Sequence, residues 1–130
     1  MYLERGFLLQ QLSPYGSNVM KEPKVLMRPP FRSLFPSSDN SIGGIREDFV
    51  ADMVSFISNE FYYLKDMRGR KCPDFLLMNE DKKIVFEVGG RSKSHSQFKE
   101  LDLKYDTLIF KPGAGVSGIE RSLSLLGFLY

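Results

Sequence analysis

The sequence predicts an α/β domain, a mixed β-sheet flanked by helices. Three observations carry that prediction. Apolar residues recur at helical spacing across residues 41–60. Four short apolar or aromatic runs follow between Glu60 and Phe110, each bounded by turn-forming or charged residues. With one further helix before the last run, the order reads helix, strand, strand, strand, helix, strand. At 130 residues, 42% hydrophobic and 26% charged, the chain has enough length for one core and the composition of a globular protein.

Residues Tyr2–Leu12 mix apolar and polar side chains and run into Ser13-Pro14-Tyr15-Gly16-Ser17-Asn18, a turn or loop by composition. Lys24–Met27 suits a short strand. Arg28-Pro29-Pro30 then forbids regular structure, because each proline removes a backbone donor and restricts the residue before it. Pro36-Ser37-Ser38-Asp39-Asn40 reads as a linker. Residues 1–40 are therefore expected to be a lead-in segment, and residues 41–130 the domain itself.

Ser41–Glu60 is the clearest helix. Counted from Ile45 at about 100° per residue, its apolar side chains from Ile45 to Ile57 fill an arc of about 180°. Arg46 falls near the middle of that arc and Glu47 at its margin, at about 200°. Glu60–Lys65 is aromatic and suits a strand, and Asp74–Met78 and Lys83–Val88 are the next two. Ser94–Leu101 reads as a helix. Tyr105–Phe110 is the last strand, stopped by Lys111-Pro112-Gly113. Gly113–Gly118 forms a loop, and the largely apolar Leu123–Tyr130 is expected to pack.

The single cysteine, Cys72, excludes an internal disulfide and a multi-cysteine zinc site. The single histidine, His95, excludes a histidine-rich one. Any metal is then a hard ion held by carboxylates. No apolar run reaches the length of a membrane span and no signal-peptide pattern opens the chain, so no membrane partner and a cytoplasmic location are expected. The net charge of +2 is uninformative about partners. Between Arg68 and Lys99, however, eight basic residues stand against four acids. That excess reads either as a solvated surface or as a phosphate-facing rim.

Glu87 is the residue that composition does not explain. It sits inside Ile84-Val85-Phe86-Glu87-Val88, where an unpaired carboxylate is costly. If Asp74–Met78 and Lys83–Val88 form a hairpin, a two- or four-residue loop sets Asp74 opposite Glu87. Two carboxylates opposed on one face repel unless a cation, a proton or a basic side chain lies between them. An odd-length loop shifts the register by one and dissolves the pair.

These residues resemble the PD-(D/E)XK nuclease superfamily, with its restriction-endonuclease-like three-layer core. Glu47 lies on the first helix, Pro73-Asp74 opens the hairpin and Glu87 closes it. A narrower likeness covers nearly the whole chain. Gly44-Ile45-Arg46-Glu47-Asp48-Phe49, Cys72-Pro73-Asp74-Phe75, Phe86-Glu87-Val88-Gly89-Gly90-Arg91-Ser92-Lys93, Gln97 and Leu126-Gly127-Phe128-Leu129-Tyr130 look like the C-terminal domain of a family of prokaryotic AAA-type ATPases. Gly6–Leu12 with Lys24–Met27 looks like the tail of the winged helix that precedes that domain.

The resemblance implies that Asp74 and Glu87 ligate Mg²⁺ or Mn²⁺, and that Glu47, Lys93 and Gln97 complete a catalytic set for phosphodiester hydrolysis. It also implies that the chain is a fragment or remnant of a longer ATPase, whose other parts and nucleic acid are its partners. Two departures are visible. No Gly-x-x-x-x-Gly-Lys-Ser/Thr occurs, so this chain carries no ATP site. The lysine expected two residues after the glutamate is replaced by Gly89, and Lys93 is the nearest lysine able to serve as a migrated substitute.

Each residue also has a plainer reading. Glu47 suits a helix start, where the dipole favours an acid. Asp74 suits a strand-entry turn. Gln97 fits a capping box begun by Ser94. Arg46, on the buried side of the helix, is a rival partner for Glu87. On that reading the fold is a non-catalytic module that binds nucleic acid or docks onto an ATPase.

Overall fold

The computed structural model describes residues 2–16, 22–35, 39–65, 72–90, 98, 104–113 and 117–128. Helix α1 (Tyr2–Arg5) leads into strand β1 (Leu9–Leu12). Strand β2 (Lys24–Met27) pairs antiparallel with β1, Leu9 opposite Met27 and Leu12 opposite Lys24. Helix α2 (Pro29–Arg32) follows directly, where the double proline predicted no regular structure. Both prolines occupy the first positions of that helix. There the missing N–H is one the helix would not have used, and the fixed φ is already helical.

Helix α3 (Asp39–Ser55) buries Val50, Ala51 and Val54. It ends at Ser55, one turn short of the predicted limit. Phe56 and Ile57 lie beyond it in a turn closed by bonds to the carbonyls of Met53 and Val54, and both are exposed rather than buried.

The main sheet has five strands in the order β3 (Phe61–Tyr63), β4 (Phe75–Asn79), β5 (Lys82–Val88), β6 (Asp106–Lys111) and β7 (Glu120–Ser122). The first two pairings are antiparallel and the last two parallel, so the sheet is mixed, as the sequence predicts. Strand β7 was not predicted; it is short and polar. The predicted helix Ser94–Leu101 lies outside the described residues except for Phe98, which is partly buried. A 3₁₀ helix, Leu123–Phe128, closes the described chain. It buries Leu126, while Phe128 is exposed.

Alternation along the strands sorts the sheet into two faces. Toward α3 point Phe61, Phe75, Phe86, Val88 and Phe110, which share one core with Val50 and Val54. The Phe61 and Phe86 rings stack at 5.8 Å, and Phe75 lies within 5.5 Å of both. Leu12 and Leu26 of the small sheet join this same core. The opposite face carries Leu76, Val85, Glu87 and Ile109, all buried.

Candidate functional site

The β4–β5 hairpin turns on two residues, Glu80 and Asp81, because Asn79 pairs with Lys82. Glu80 takes a positive φ of 48°, which so tight a loop requires. This even-length loop gives the predicted register, with Met78 opposite Lys83 and Phe75 opposite Phe86. Continued one residue past the Phe75–Phe86 pair, this register sets Asp74 opposite Glu87.

Asp74 is held from two sides. Its carbonyl accepts the Leu64 N–H at 2.9 Å, and its Oδ2 accepts the Val88 N–H at 2.8 Å. The carboxylate therefore reaches across to the end of β5 and ties the two strands together there. Glu87 has no exposed surface. On its other side Ile109 of β6, itself fully buried, is its register partner. The site thus sits at the open end of the hairpin, on the face turned away from α3.

Glu47 belongs to a different arrangement. Its carboxylate meets Lys24 Nζ at 2.5 Å, and that ammonium lies 5.0 Å from the centre of the Phe75 ring. Two further acids of α3 do the same with cations that flank α2. Asp48 Oδ2 faces Arg32 Nε at 3.3 Å, and Asp52 pairs with Arg28. Asp48 also accepts the Met27 N–H at 3.2 Å through Oδ1. Burial pushes the Asp48 carboxyl above its ordinary value, and the Met27 bond and Arg32 only partly offset it. Gly44 makes room for this contact: a Cβ there would lie 2.6 Å from Arg32 Nη2.

This ladder was not read from the sequence, although its signal is present. Asp48 and Asp52 are four residues apart on a helix, and so are Arg28 and Arg32. Two i, i+4 pairs of opposite sign are the pattern of two matched edges.

Arg46 is half-buried as the helical wheel predicts. Its guanidinium lies against Gly90, where a Cβ would sit 3.4 Å from Nη1. It is therefore placed near the end of β5 that carries Glu87. Lys93, Gln97, Arg91 and His95 lie outside the described residues.

Asp74 and Glu87 are both hard oxygen donors. Mg²⁺ takes one or two carboxylates and completes its shell with water and phosphate oxygens, so the donor pair fits such an ion. Among the described residues, no three His, Cys, Asp or Glu side chains are placed to share one metal, so Glu47 does not join the pair as a ligand. Among those residues, too, no helix is long and apolar enough to cross a membrane. Compared with protein-family models, curated proteins and solved structures, the chain matches none.

Proposed function

We propose that residues 41–130 form a restriction-endonuclease-like, PD-(D/E)XK nuclease-like domain of a prokaryotic AAA-type ATPase, with weak or degenerate phosphodiesterase activity. The observation that carries this reading is the register: continued one residue past the Phe75–Phe86 pair it sets Asp74 opposite Glu87, which is fully buried in the apolar half of β5. Opposed carboxylates cost stability unless a positive group compensates them.

Asp74 and Glu87 would hold Mg²⁺ or Mn²⁺, which when bound polarises a phosphate and acidifies a water. The Val88 N–H fixes the orientation of the Asp74 carboxylate through Oδ2. Lys93, from the segment after β5, supplies the cation that Gly89 cannot, and Gln97 assists it. Glu47, already paired with Lys24, acts from a distance by keeping α3 against β2. Residues 1–40 serve as the lead-in from the rest of the ATPase, and the domain works in the cytoplasm, where nucleic acid is its substrate.

A second reading is favoured by one specific pair of observations, Gly89 at the lysine position and Glu47 engaged by Lys24. It is a non-catalytic module on the same fold that binds nucleic acid or docks onto the ATPase. The test is cleavage of supercoiled plasmid and of a single-stranded oligonucleotide in Mn²⁺, with Asp74→Asn and Glu87→Gln as controls. Slow nicking lost in both variants supports the nuclease. Binding by all three proteins without nicking supports the module. Neither binding nor nicking overturns the nuclease and the nucleic-acid module alike and leaves only docking onto the ATPase.

A further inference from the structure

On the other side of the sheet, away from Asp74 and Glu87, the described residues leave the cover incomplete. Helix α3 stops at Ser55 and lays Val54 over the sheet, while the 3₁₀ helix Leu123–Phe128 brings in Leu126. Between them remains a cavity of about 270 Å³. Its walls include Val54, Leu77, Ile84, Phe86, Leu108 and Leu126. Ile57 and Leu125 also line it and are 49% and 43% exposed, which marks its mouth. An apolar cavity of about 150 Å³ stays dry and takes up benzene. This one is nearly twice that size, so it has room for a short alkyl chain or an aryl-alkyl group.

One lining residue is charged. Arg121 donates from Nη1 to the carbonyls of Gly118 and Glu120, both at 2.8 Å, and these bonds fix the guanidinium. The adjacent acid, Glu120, is paired with Lys111 at 2.6 Å. Among the described residues, no carboxylate forms an ion pair with Arg121. A guanidinium presents five donors, and its flat fork suits a carboxylate.

We propose that this cavity binds small amphipathic carboxylates, the apolar tail among Val54, Ile84 and Leu108 and the carboxylate on Arg121. The combination selects for both ends of the ligand. A polar acid gains nothing from apolar walls, and a neutral alkane gains nothing from the guanidinium. The site is separate from the hairpin carboxylates, so its fate is independent of the nuclease reading.

The test is a titration of the full 130-residue chain with octanoate and, in parallel, with octanol, followed by methyl NMR. Octanoate is expected to give saturating shifts at the methyls of Ile84, Leu108 and Leu126, with octanol binding more weakly. Loss of a charged hydrogen bond in Arg121→Gln is expected to weaken octanoate by at least about tenfold and leave octanol unchanged. Leu108→Phe, which fills the cavity, is expected to abolish both. Arg121 is partly exposed, so its variant keeps the test valid if the filled variant misfolds. Shifts that do not saturate or that fall outside the cavity overturn the proposal. So does Arg121→Gln binding octanoate as wild type does.

Discussion

Two groups of carboxylates in this molecule are handled in opposite ways. On α3, Glu47, Asp48 and Asp52 each meet a cation from β2 or α2, namely Lys24, Arg32 and Arg28. At the open end of the β4–β5 hairpin, the Asp74 carboxylate accepts the Val88 N–H, and Glu87, opposite Asp74 when the register is continued by one residue, has no exposed surface. The first group is an electrostatic seam. It attaches the small sheet to the long helix; the part-exposed Lys24–Glu47 pair is worth up to about 1 kcal/mol, whereas Asp48 and Asp52 are buried and depend more on their cations. The second group is held differently: a backbone N–H orients Asp74 through Oδ2, and Glu87 is enclosed between its neighbouring strands. An acid that meets a cation is explained by stability. A fully buried acid at the open end of a hairpin is where we place the proposed function.

Substitutions that separate the two groups sharpen this contrast. The largest effect is expected for Arg28→Met, which leaves the largely buried Asp52 without its cation and should cost about 2–3 kcal/mol in chemical denaturation. Next comes Asp74→Ala, which removes the acceptor of the Val88 N–H and should cost about 1–2 kcal/mol, while Asp74→Asn keeps an acceptor and should cost less. If Asn proves as costly as Ala, the charge of Asp74 matters to the fold and the contrast weakens. Lys24→Met should cost at most about 1 kcal/mol, because both partners of that pair are partly exposed. A larger loss would mean that the seam carries more of the fold than its exposure allows.

The smallest effect is one of pH. The Asp48 carboxyl titrates above 3.8, raised chiefly by burial. The folded protein then holds this proton more tightly than the unfolded chain does. Asp48 therefore contributes stability that is fully present below pH 3.8 and is lost as pH rises through its raised value. Relative to Asp48→Asn, wild type should gain stability as pH is lowered from 7 toward 4. A difference that stays constant over that range would contradict the assigned direction.

The hairpin was legible because its information is local. Strand alternation and an even loop at Glu80-Asp81 are enough to set Asp74 opposite Glu87, and no distant contact is needed. The pairing of β1 with β2 was not legible, since the loop between them carries no tight-turn signal that fixes Leu9 against Met27. Strand β7 escaped because Glu120–Ser122 is three polar residues held only by its neighbour β6. The helix end was misplaced because Phe56 and Ile57 continue the apolar period, yet α3 ends at Ser55 and leaves both exposed. The candidate pair Asp74 and Glu87 follows from register, whereas Glu47 enters through the resemblance, and its pairing with Lys24 across the seam has no local signal. The seam itself joins residues more than 15 positions apart, and only its paired four-residue spacings foreshadow it.

The proposed nuclease reading requires that Asp74 and Glu87 bind a divalent cation. It is tested most directly by thermal melts of wild type and Glu87→Gln, each with EDTA and with Mn²⁺. An ion that binds only the folded state at about 100 times its Kd adds about 2.7 kcal/mol. The account predicts that Mn²⁺ raises the wild-type midpoint and leaves that of Glu87→Gln unchanged. A wild-type midpoint indifferent to Mn²⁺, with Glu87→Gln strongly destabilised in EDTA, would show that Glu87 serves the fold alone and would contradict it.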